Sequence, residues 1–109
     1  MVKFVYSFKT KLRVLALRLL KPLFDELYLN THKLYGSKER LHLSAKAKMA
    51  NTLFNTFSGS IHIHDYVFTG HNVSIITGTH EYRLVNEKRM NDAPIHGNDI
   101  TVKAGVWIG

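Results

Sequence analysis

The sequence has 109 residues, enough for one small domain, with no cysteine and a formal net charge of +7. The lack of cysteine excludes disulfides, thiol catalysis and thiolate metal sites, and it fits a reducing compartment. The charge is concentrated in residues 1–24, which carry six Lys or Arg and no acid, whereas residues 25–109 carry nine basic and eight acidic residues. A nucleic-acid-binding domain would spread its basic residues over a folded face, so no nucleic-acid partner is predicted.

The first predicted element is an amphipathic helix over residues 4–20. At about 100° per residue its apolar side chains fall within one arc, and every basic residue of the segment lies outside that arc. The arc consists of Phe4, Val5, Phe8, Leu12, Leu15 and Leu19. Pro22 is expected to break this helix or to start a new turn, and Asp25 and Glu26 suit the first turn of a short second helix. We therefore predict a basic helical arm and connector over residues 1–40.

The next predicted element is a repeat with a period of six residues, which begins at Phe57. Four consecutive sixes read FSGSIH, IHDYVF, TGHNVS and IITGTH, and the pattern resumes as VKAGVW and IG after an interruption. The first positions are Phe57, Ile63, Thr69 and Ile75, and the fifth positions are Ile61, Val67, Val73 and Thr79. A period of six is typical of a parallel β-helix, in which short strands alternate with turns. Residues 41–109 are predicted to form this domain, with residues 81–101 as an extruded loop.

This repeat is similar to that of a known protein family. The segments FNTFSGSIHIHDYVFTGHNVSIITGTHEY at 54–82 and GNDITVKAGVWIG at 97–109 resemble the hexapeptide-repeat acyltransferases, in particular the sugar O-acetyltransferases related to maltose and galactoside acetyltransferases. The resemblance implies a mainly β fold, a left-handed parallel β-helix, preceded here by the N-terminal amphipathic α-helix. It also implies a homotrimer with the active site between subunits, acetyl-CoA as the donor, and a sugar or a capsule- or lipopolysaccharide-type precursor as the acceptor.

His80 is the predicted catalytic residue, because it occupies the position of the family's catalytic histidine. O-Acetyl transfer needs a base, since an alcohol is a weak nucleophile at neutral pH, and a neutral imidazole can accept the hydroxyl proton and return it to the departing thiolate. Glu81 is predicted to orient the imidazole ring, as a carboxylate does in a catalytic triad. Because neighbouring residues of an extended strand point to opposite faces, Glu81 can equally be a solvated loop charge.

The remaining candidate site residues are assigned to the acceptor and the donor. The resemblance implies that Asn55 binds the acceptor, because related proteins place an asparagine in the coil before the catalytic one. His71 is predicted to line the acceptor site and also fits a plain turn position. The resemblance places Gly78, Gly105 and Trp107 near acetyl-CoA, where backbone N–H groups can hold a developing oxyanion. Trp107 equally suits packing within the repeat.

The chain departs from the family in two residues and in its length. His64 stands where the family has Gly, and Glu81 stands where it often has Asp. His62 and His64 share one face of a predicted strand, but two imidazoles without a third ligand make a poor metal site, so no metal is predicted. Family members continue with further coils, so the chain ending at Gly109 is expected to be a fragment or a truncated product. A non-catalytic remnant, structural or bound at a membrane surface, is therefore the alternative to an active enzyme.

The basic helix leaves three roles open. It can cap the open end of the repeat or pack in the trimer, lie on an anionic membrane surface through residues 4–20, or bind another partner. No uncharged stretch approaches the ~20 residues that a membrane-spanning helix needs. The predicted location is the cytoplasm, with peripheral contact at the inner face of the membrane.

Overall fold

The structure is a computed structural model that describes residues 2–109, apart from the side chains of Val2 and Phe4. Phe4 of the predicted apolar arc therefore lies outside the described side chains. Contacts divide the chain into two compact units, Met1–Asn30 and Thr31–Gly109. The first unit is helical, and the second contains every strand of the described chain.

The first unit consists of one α-helix, α1, which extends over Val2–Asn30. It is longer than the predicted 4–20, and it continues through Pro22, where the sequence predicts a break or the start of a new turn. Proline within a helix removes one backbone hydrogen bond, because it has no N–H to donate. An ion pair between Lys21 and Asp25 spans the turn that contains Pro22, and leucines, which favour helix, flank the proline on both sides. Asp25 consequently belongs to α1 and not to a separate second helix.

The apolar side chains of α1 are exposed. More than a dozen of them are counted among the exposed large hydrophobic residues, including Phe8, Leu15 and Leu19. Within residues 2–109, the structure contains no helix with the length and apolar character that crossing a bilayer requires.

The second unit contains eight short strands, and within the described chain they pair only in parallel. The strands are β1 (Lys33–Tyr35), β2 (Leu41–Leu43), β3 (Leu53–Asn55), β4 (Ile61–Ile63), β5 (Phe68–Thr69), β6 (Ser74–Ile76), β7 (Ile100–Val102) and β8 (Trp107–Ile108). They form three sheets with the strand orders β1-β3-β6, β2-β4-β7 and β5-β8. Paired strands are never consecutive in the chain, so each connection between them passes through another sheet.

The predicted fold class, mainly β with a left-handed parallel β-helix over residues 41–109, is wrong. Residues 2–109 form one long N-terminal helix and small parallel sheets of two or three strands, and no sheet closes or curls. With 29 residues, α1 alone is longer than the eight strands together. The physical reason is that the six-residue frame does not hold along the chain. Two of its expected interior residues, Phe57 and Thr79, are exposed, and a long irregular segment separates β6 from β7.

The interior of the second unit is built by strand alternation. Successive side chains of a strand point to opposite faces, so Ile61 and Ile63 of β4 are buried while His62 between them is half-buried. In β3 the corresponding interior residue is Phe54, which is completely buried. The buried apolar cluster consists of Phe54, Ile61, Ile63, Val67, Val73 and Ile75. Because these residues come from two sheets and from the chain before β5, the cluster joins the sheets into one core.

Short polar side chains complete this interior where the chain turns. The hydroxyl oxygens of Thr52 and Thr69 lie 2.6 Å apart. Asn51 donates through Nδ2 to Asn72 Oδ1 at 2.8 Å and accepts from the Asn72 backbone N–H at 2.6 Å. Asn72 has a φ of 58°, a left-handed conformation that asparagine tolerates better than most residues. These paired side chains satisfy polar groups that burial would otherwise leave without partners.

The segment between β6 and β7 contains a short helix, α2 (Asn86–Asn91). The chain after α2 is held by Arg40, whose Nη1 donates a hydrogen bond to the carbonyl of Ile95 at 2.8 Å. The same Nη1 donates to the carbonyl of Phe57 at 3.1 Å, and Nη2 lies 3.2 Å from Nδ1 of His96. Arg40 therefore holds the end of this loop against the turn that follows β3.

Candidate functional site

Three of the predicted site residues surround one cleft of about 350 Å³ in the second unit. Asn55 is the last residue of β3, and Gly78 and His80 follow β6. Because β3 and β6 are parallel neighbours, their carboxyl ends meet at the same edge of the sheet. Tyr35, at the end of β1, and Met90, in α2, also line the cleft. Its volume lies within the range of small-molecule sites, about 300–1,000 Å³.

His80 is held by the main chain of the loop. Its Nδ1 lies 2.8 Å from the carbonyl oxygen of Arg89. A carbonyl oxygen can only accept a hydrogen bond, so Nδ1 carries the proton, and the lone pair of the neutral ring is on Nε2. Among the described residues Nε2 has no hydrogen-bond partner. One nitrogen is thus fixed and the other is available to accept a proton, as a general base requires.

Asn55 and Gly78 are packed closely against each other in the cleft wall. A Cβ added at Gly78 would lie 2.9 Å from both Nδ2 and Oδ1 of Asn55, closer than such atoms pack. Oδ1 of Asn55 accepts from the backbone N–H of Phe57 at 2.9 Å. That contact identifies the oxygen end of the amide and leaves Nδ2 as a donor at the cleft. The pair therefore places an amide donor in the same cleft as the imidazole of His80.

The loop that holds His80 is fastened to itself by the side chain of Arg89. The guanidinium donates through Nη2 to the carbonyl of Tyr82 at 2.8 Å and through Nε to the carbonyl of Leu84. The main-chain carbonyl of Arg89 accepts the hydrogen bond from His80. Arg89 is therefore a positioning residue: its side chain shapes the loop, and its main chain orients the imidazole.

Replacing Arg89 with alanine is expected to loosen this loop and to release the imidazole. Two hydrogen bonds from a charged donor are lost, and losing about 1.4 kcal/mol of local stability corresponds to a 10-fold increase in amide exchange. We expect amide hydrogen exchange in residues 82–91 to rise by about 10-fold or more, and the ¹⁵N spectrum of His80 to show a mixture of tautomers. Lys88→Ala is the control, because Lys88 is an exposed neighbour in α2. Equal exchange in both variants would show that the guanidinium does not hold the loop.

Glu81, predicted to orient the ring of His80, has a different partner. Its Oε1 accepts from the backbone N–H of Arg83 at 3.2 Å and lies 3.9 Å from Nε of the same residue. The Arg89 carbonyl occupies the place at Nδ1 that a triad carboxylate would take. In this structure Glu81 is therefore a charge of the loop and not a member of a triad.

Of the described residues, the other three predicted for the site do not line this cleft. His71 is exposed in the turn before β6. Gly105 lies in the turn between β7 and β8 with a φ of 79°, and its N–H donates to the carbonyl of Asp65 at 3.0 Å, so that N–H is not free for an oxyanion. Trp107 is 68% exposed in β8 and stacks on Phe68, with ring centroids 6.0 Å apart.

A second cleft, of about 460 Å³, lies over β2 and β4. His42 and His62 are in register on these strands, and their rings stack with centroids 4.4 Å apart. Stacked parallel rings direct their nitrogen lone pairs side by side and not towards one point. Residues 2–109 contain no group of three or more His, Asp or Glu side chains that could hold a metal ion. We therefore assign no chemistry to this cleft.

One carboxyl group outside the His80 cleft has a shifted pKa. The hydroxyl of Ser37 donates to Oε2 of Glu39 at 2.6 Å, and this hydrogen bond, with a smaller contribution from the backbone, lowers the pKa of Glu39 below its ordinary value. Glu39 lies in the 3₁₀ turn Lys38–Arg40 before β2 and is exposed. The lowered pKa therefore reflects a local turn and not an active-site environment.

Two of the residues that complete the His80 cleft carry no signal in the pattern of sixes. Tyr35 precedes the repeat, and Met90 lies in the interruption. The useful signal was the interruption itself, because a long polar segment inserted beside a candidate histidine is often part of a site. Which side chains of that segment reach the cleft depends on how the loop folds, so the sequence does not mark Met90.

Comparisons with protein-family models, with curated proteins and with solved structures found no match for this chain.

Proposed function

We propose that the protein is an acetyl-CoA-dependent O-acetyltransferase that acts on a sugar or polysaccharide-precursor hydroxyl, with His80 as the general base. The observation that carries the proposal is the state of the His80 ring. The Arg89 carbonyl holds Nδ1 at 2.8 Å, and no described residue is a partner for Nε2, which lies beside a cleft that also contains the Asn55 amide. The identity of the acyl group and the acceptor class rest on the resemblance to the hexapeptide-repeat acetyltransferases.

The chemistry assigned to the chain is proton transfer and orientation. Acetyl-CoA supplies the acetyl group as an activated thioester. Nε2 of His80 accepts the proton of the acceptor hydroxyl as its oxygen bonds to the acyl carbon, and the imidazolium returns that proton to the leaving thiolate. The Nδ2 group of Asn55 is suited to donate a hydrogen bond to the acceptor hydroxyl or to the acyl oxygen.

The size of the cleft limits which part of the donor it can hold. At about 350 Å³ it has room for an acetyl group and a sugar ring but not for the whole of coenzyme A. Gly105 and Trp107, assigned to the donor by resemblance, line a different part of the surface. We therefore propose that the cleft binds the reacting groups and that the remainder of the donor extends outside it.

The location and assembly follow from the same proposal. Because the donor is an intracellular thioester, we place the protein in the cytoplasm, and at the inner face of the membrane if α1 binds lipid. The homotrimer is proposed from the resemblance alone, and light scattering of the purified chain would give its molar mass.

Acetyl transfer by the full chain is the direct test of this function. The purified protein is incubated with acetyl-CoA and a panel of mono- and oligosaccharides, free thiol is followed with time, and the sugars are analysed by mass spectrometry for an added acetyl group. We expect thiol release that depends on one class of acceptor. A folded chain that releases no thiol with any acceptor, or releases it only by hydrolysis, would contradict the proposal and favour the non-catalytic alternative.

A further inference from the structure

We propose that α1 is a docking surface for the anionic surface of a lipid bilayer, on which the helix lies flat. The proposal goes beyond acyl transfer and does not depend on it, because it uses only residues of the first unit. It rests on three features of α1: an exposed apolar stripe, cations along both edges of that stripe, and the charge pattern that a second copy of the chain would meet.

The apolar stripe consists of residues that share one face of α1. Val5, Phe8, Leu12, Leu15 and Leu19 are three or four residues apart, so at about 100° per residue they lie along one side of the helix. Their exposed fractions lie between 46% and 70%. A continuous apolar surface of this kind is favourably removed from water when a partner covers it.

Cations border this stripe on both edges. Lys11 and Arg18 lie along one edge and Lys9 lies along the other, and all three are exposed. Residues 2–24 contain no Asp or Glu. In a helix that lies in the interface, lysine and arginine at such edges reach the lipid headgroups while the stripe enters the acyl boundary. Charge and apolar surface on α1 therefore complement the same partner.

A second copy of α1 is a poorer partner for the same stripe. Spacings of three and four residues also suit the seam of a coiled coil, in which Lys9, Lys11 and Arg18 would occupy the positions beside the seam. Residues 2–24 contain no acid, so a second copy of this segment would bring more positive charge to the edges of the seam and no carboxylate to pair these three cations. The seam also ends early, because its next two positions are Pro22 and Glu26. The same cations that repel a second copy of α1 would attract an anionic lipid surface.

The rest of the helix circumference is mixed. Tyr6, Leu17 and Leu20 are exposed on the side away from the stripe, where Arg13 and Lys21 also lie. This interspersion keeps the second side hydrated, while the stripe alone is free of charge up to Leu19. We therefore assign the stripe, and not the whole circumference, to the lipid.

Vesicle sedimentation with the full chain tests the proposal. The protein is mixed with vesicles of phosphatidylcholine alone, or of phosphatidylcholine with phosphatidylserine, and the bound fraction is measured at low and high salt. We expect binding to the anionic vesicles, little binding to the neutral ones, and weaker binding as salt rises. Failure to sediment with anionic vesicles at low salt would overturn the proposal.

Matched sets of variants separate α1 from the net charge of the protein. The triple variant Lys9→Gln, Lys11→Gln and Arg18→Gln is expected to weaken binding about 100-fold, because each cation at the surface contributes about fivefold. The control removes three exposed lysines elsewhere, Lys38→Gln, Lys88→Gln and Lys103→Gln, and is expected to bind like the wild type. Equal weakening by both sets would show general charge attraction and would contradict a specific role of α1.

A third variant tests the apolar stripe and the competing partners. Leu12→Ser with Leu15→Ser is expected to weaken vesicle binding about 10-fold or more, with helix content confirmed by circular dichroism. Binding to a nucleic acid would depend on the cations but not on the stripe. The proposal would therefore be overturned if the wild type bound duplex DNA tightly but not vesicles, and if the serine variant bound DNA equally well. The proposal would also be overturned if the wild type formed an oligomer that dissociated in the serine variant, because the stripe would then bind a second copy of the chain.

Discussion

Replacing His80 with asparagine is expected to lower the turnover number for acetyl transfer by about 10²–10⁴-fold. The asparagine amide can still donate to the Arg89 carbonyl, which His80 Nδ1 contacts at 2.8 Å, so the fold of the loop should be retained. What is lost is Nε2, the nitrogen assigned to accept the hydroxyl proton. Steady-state kinetics with the acceptor identified in the thiol-release assay would measure the loss. We expect the KM for acetyl-CoA to change little, because the base acts on the acceptor.

The control for this variant is another exposed histidine. His64→Asn makes the same chemical change at the end of β4, outside the lining of the His80 cleft, and is expected to leave turnover unchanged. Melting temperatures of both variants would show whether a loss of activity reflects unfolding. Wild-type turnover in His80→Asn would remove His80 from the chemistry, whereas equal losses in both variants would point to a general effect of losing a histidine.

The interior of the second unit shows where a periodic pattern is informative and where it fails. Ile61 and Ile63 were identifiable from the sequence, because two isoleucines separated by one residue suit one face of a strand, and both are buried. The six-residue frame begins at Phe57 and places that residue in the same interior. The chain turns before that point, since β3 ends at Asn55, so the buried aromatic residue is Phe54.

The six-residue period therefore predicts which side chains of a strand point inward. It does not predict where each strand begins and ends, because the turns determine those boundaries. The same limit explains the wrong fold class. The repeat predicts short strands and turns locally, whereas closure into a β-helix requires the frame to continue through every turn, and here the segment between β6 and β7 interrupts it.

The sequence could identify the side chains of His80 and Asn55 but not the main-chain contact that orients the imidazole. His80 and Asn55 were both identified from the sequence, and parallel pairing of β3 with β6 brings them to one cleft. Glu81 was the natural choice to orient the ring because it is an adjacent carboxylate, yet the acceptor at Nδ1 is a main-chain carbonyl. Every residue has such a carbonyl, so no residue type marks it in a sequence. The role of Arg89 is visible only once the loop is folded.

Replacing Phe54 with alanine is expected to destabilise the second unit by about 3–5 kcal/mol, the usual cost of removing a large aromatic side chain from a core. Phe54 is completely buried, with an exposed fraction of 0%. In its sheet it lies between Leu34 of β1 and Ile75 of β6, and the ring of His32 meets it edge-on at 5.6 Å. A cavity at the centre of a three-stranded sheet cannot easily collapse, because the neighbouring strands are fixed by backbone hydrogen bonds. Urea denaturation followed by circular dichroism would give the loss as a lower transition midpoint.

The neighbouring Phe57 supplies a control of the same residue type. It is 40% exposed and lies in the turn after β3, so Phe57→Ala is expected to cost less than about 1 kcal/mol. The comparison distinguishes the observed core from the one that the six-residue frame predicts, because that frame places Phe57 inside. A larger loss for Phe57→Ala than for Phe54→Ala would restore the frame and contradict the burial of Phe54. A larger loss for Phe54→Ala would confirm that strand β3, and not the periodicity of the sequence, determines which aromatic side chain fills the core.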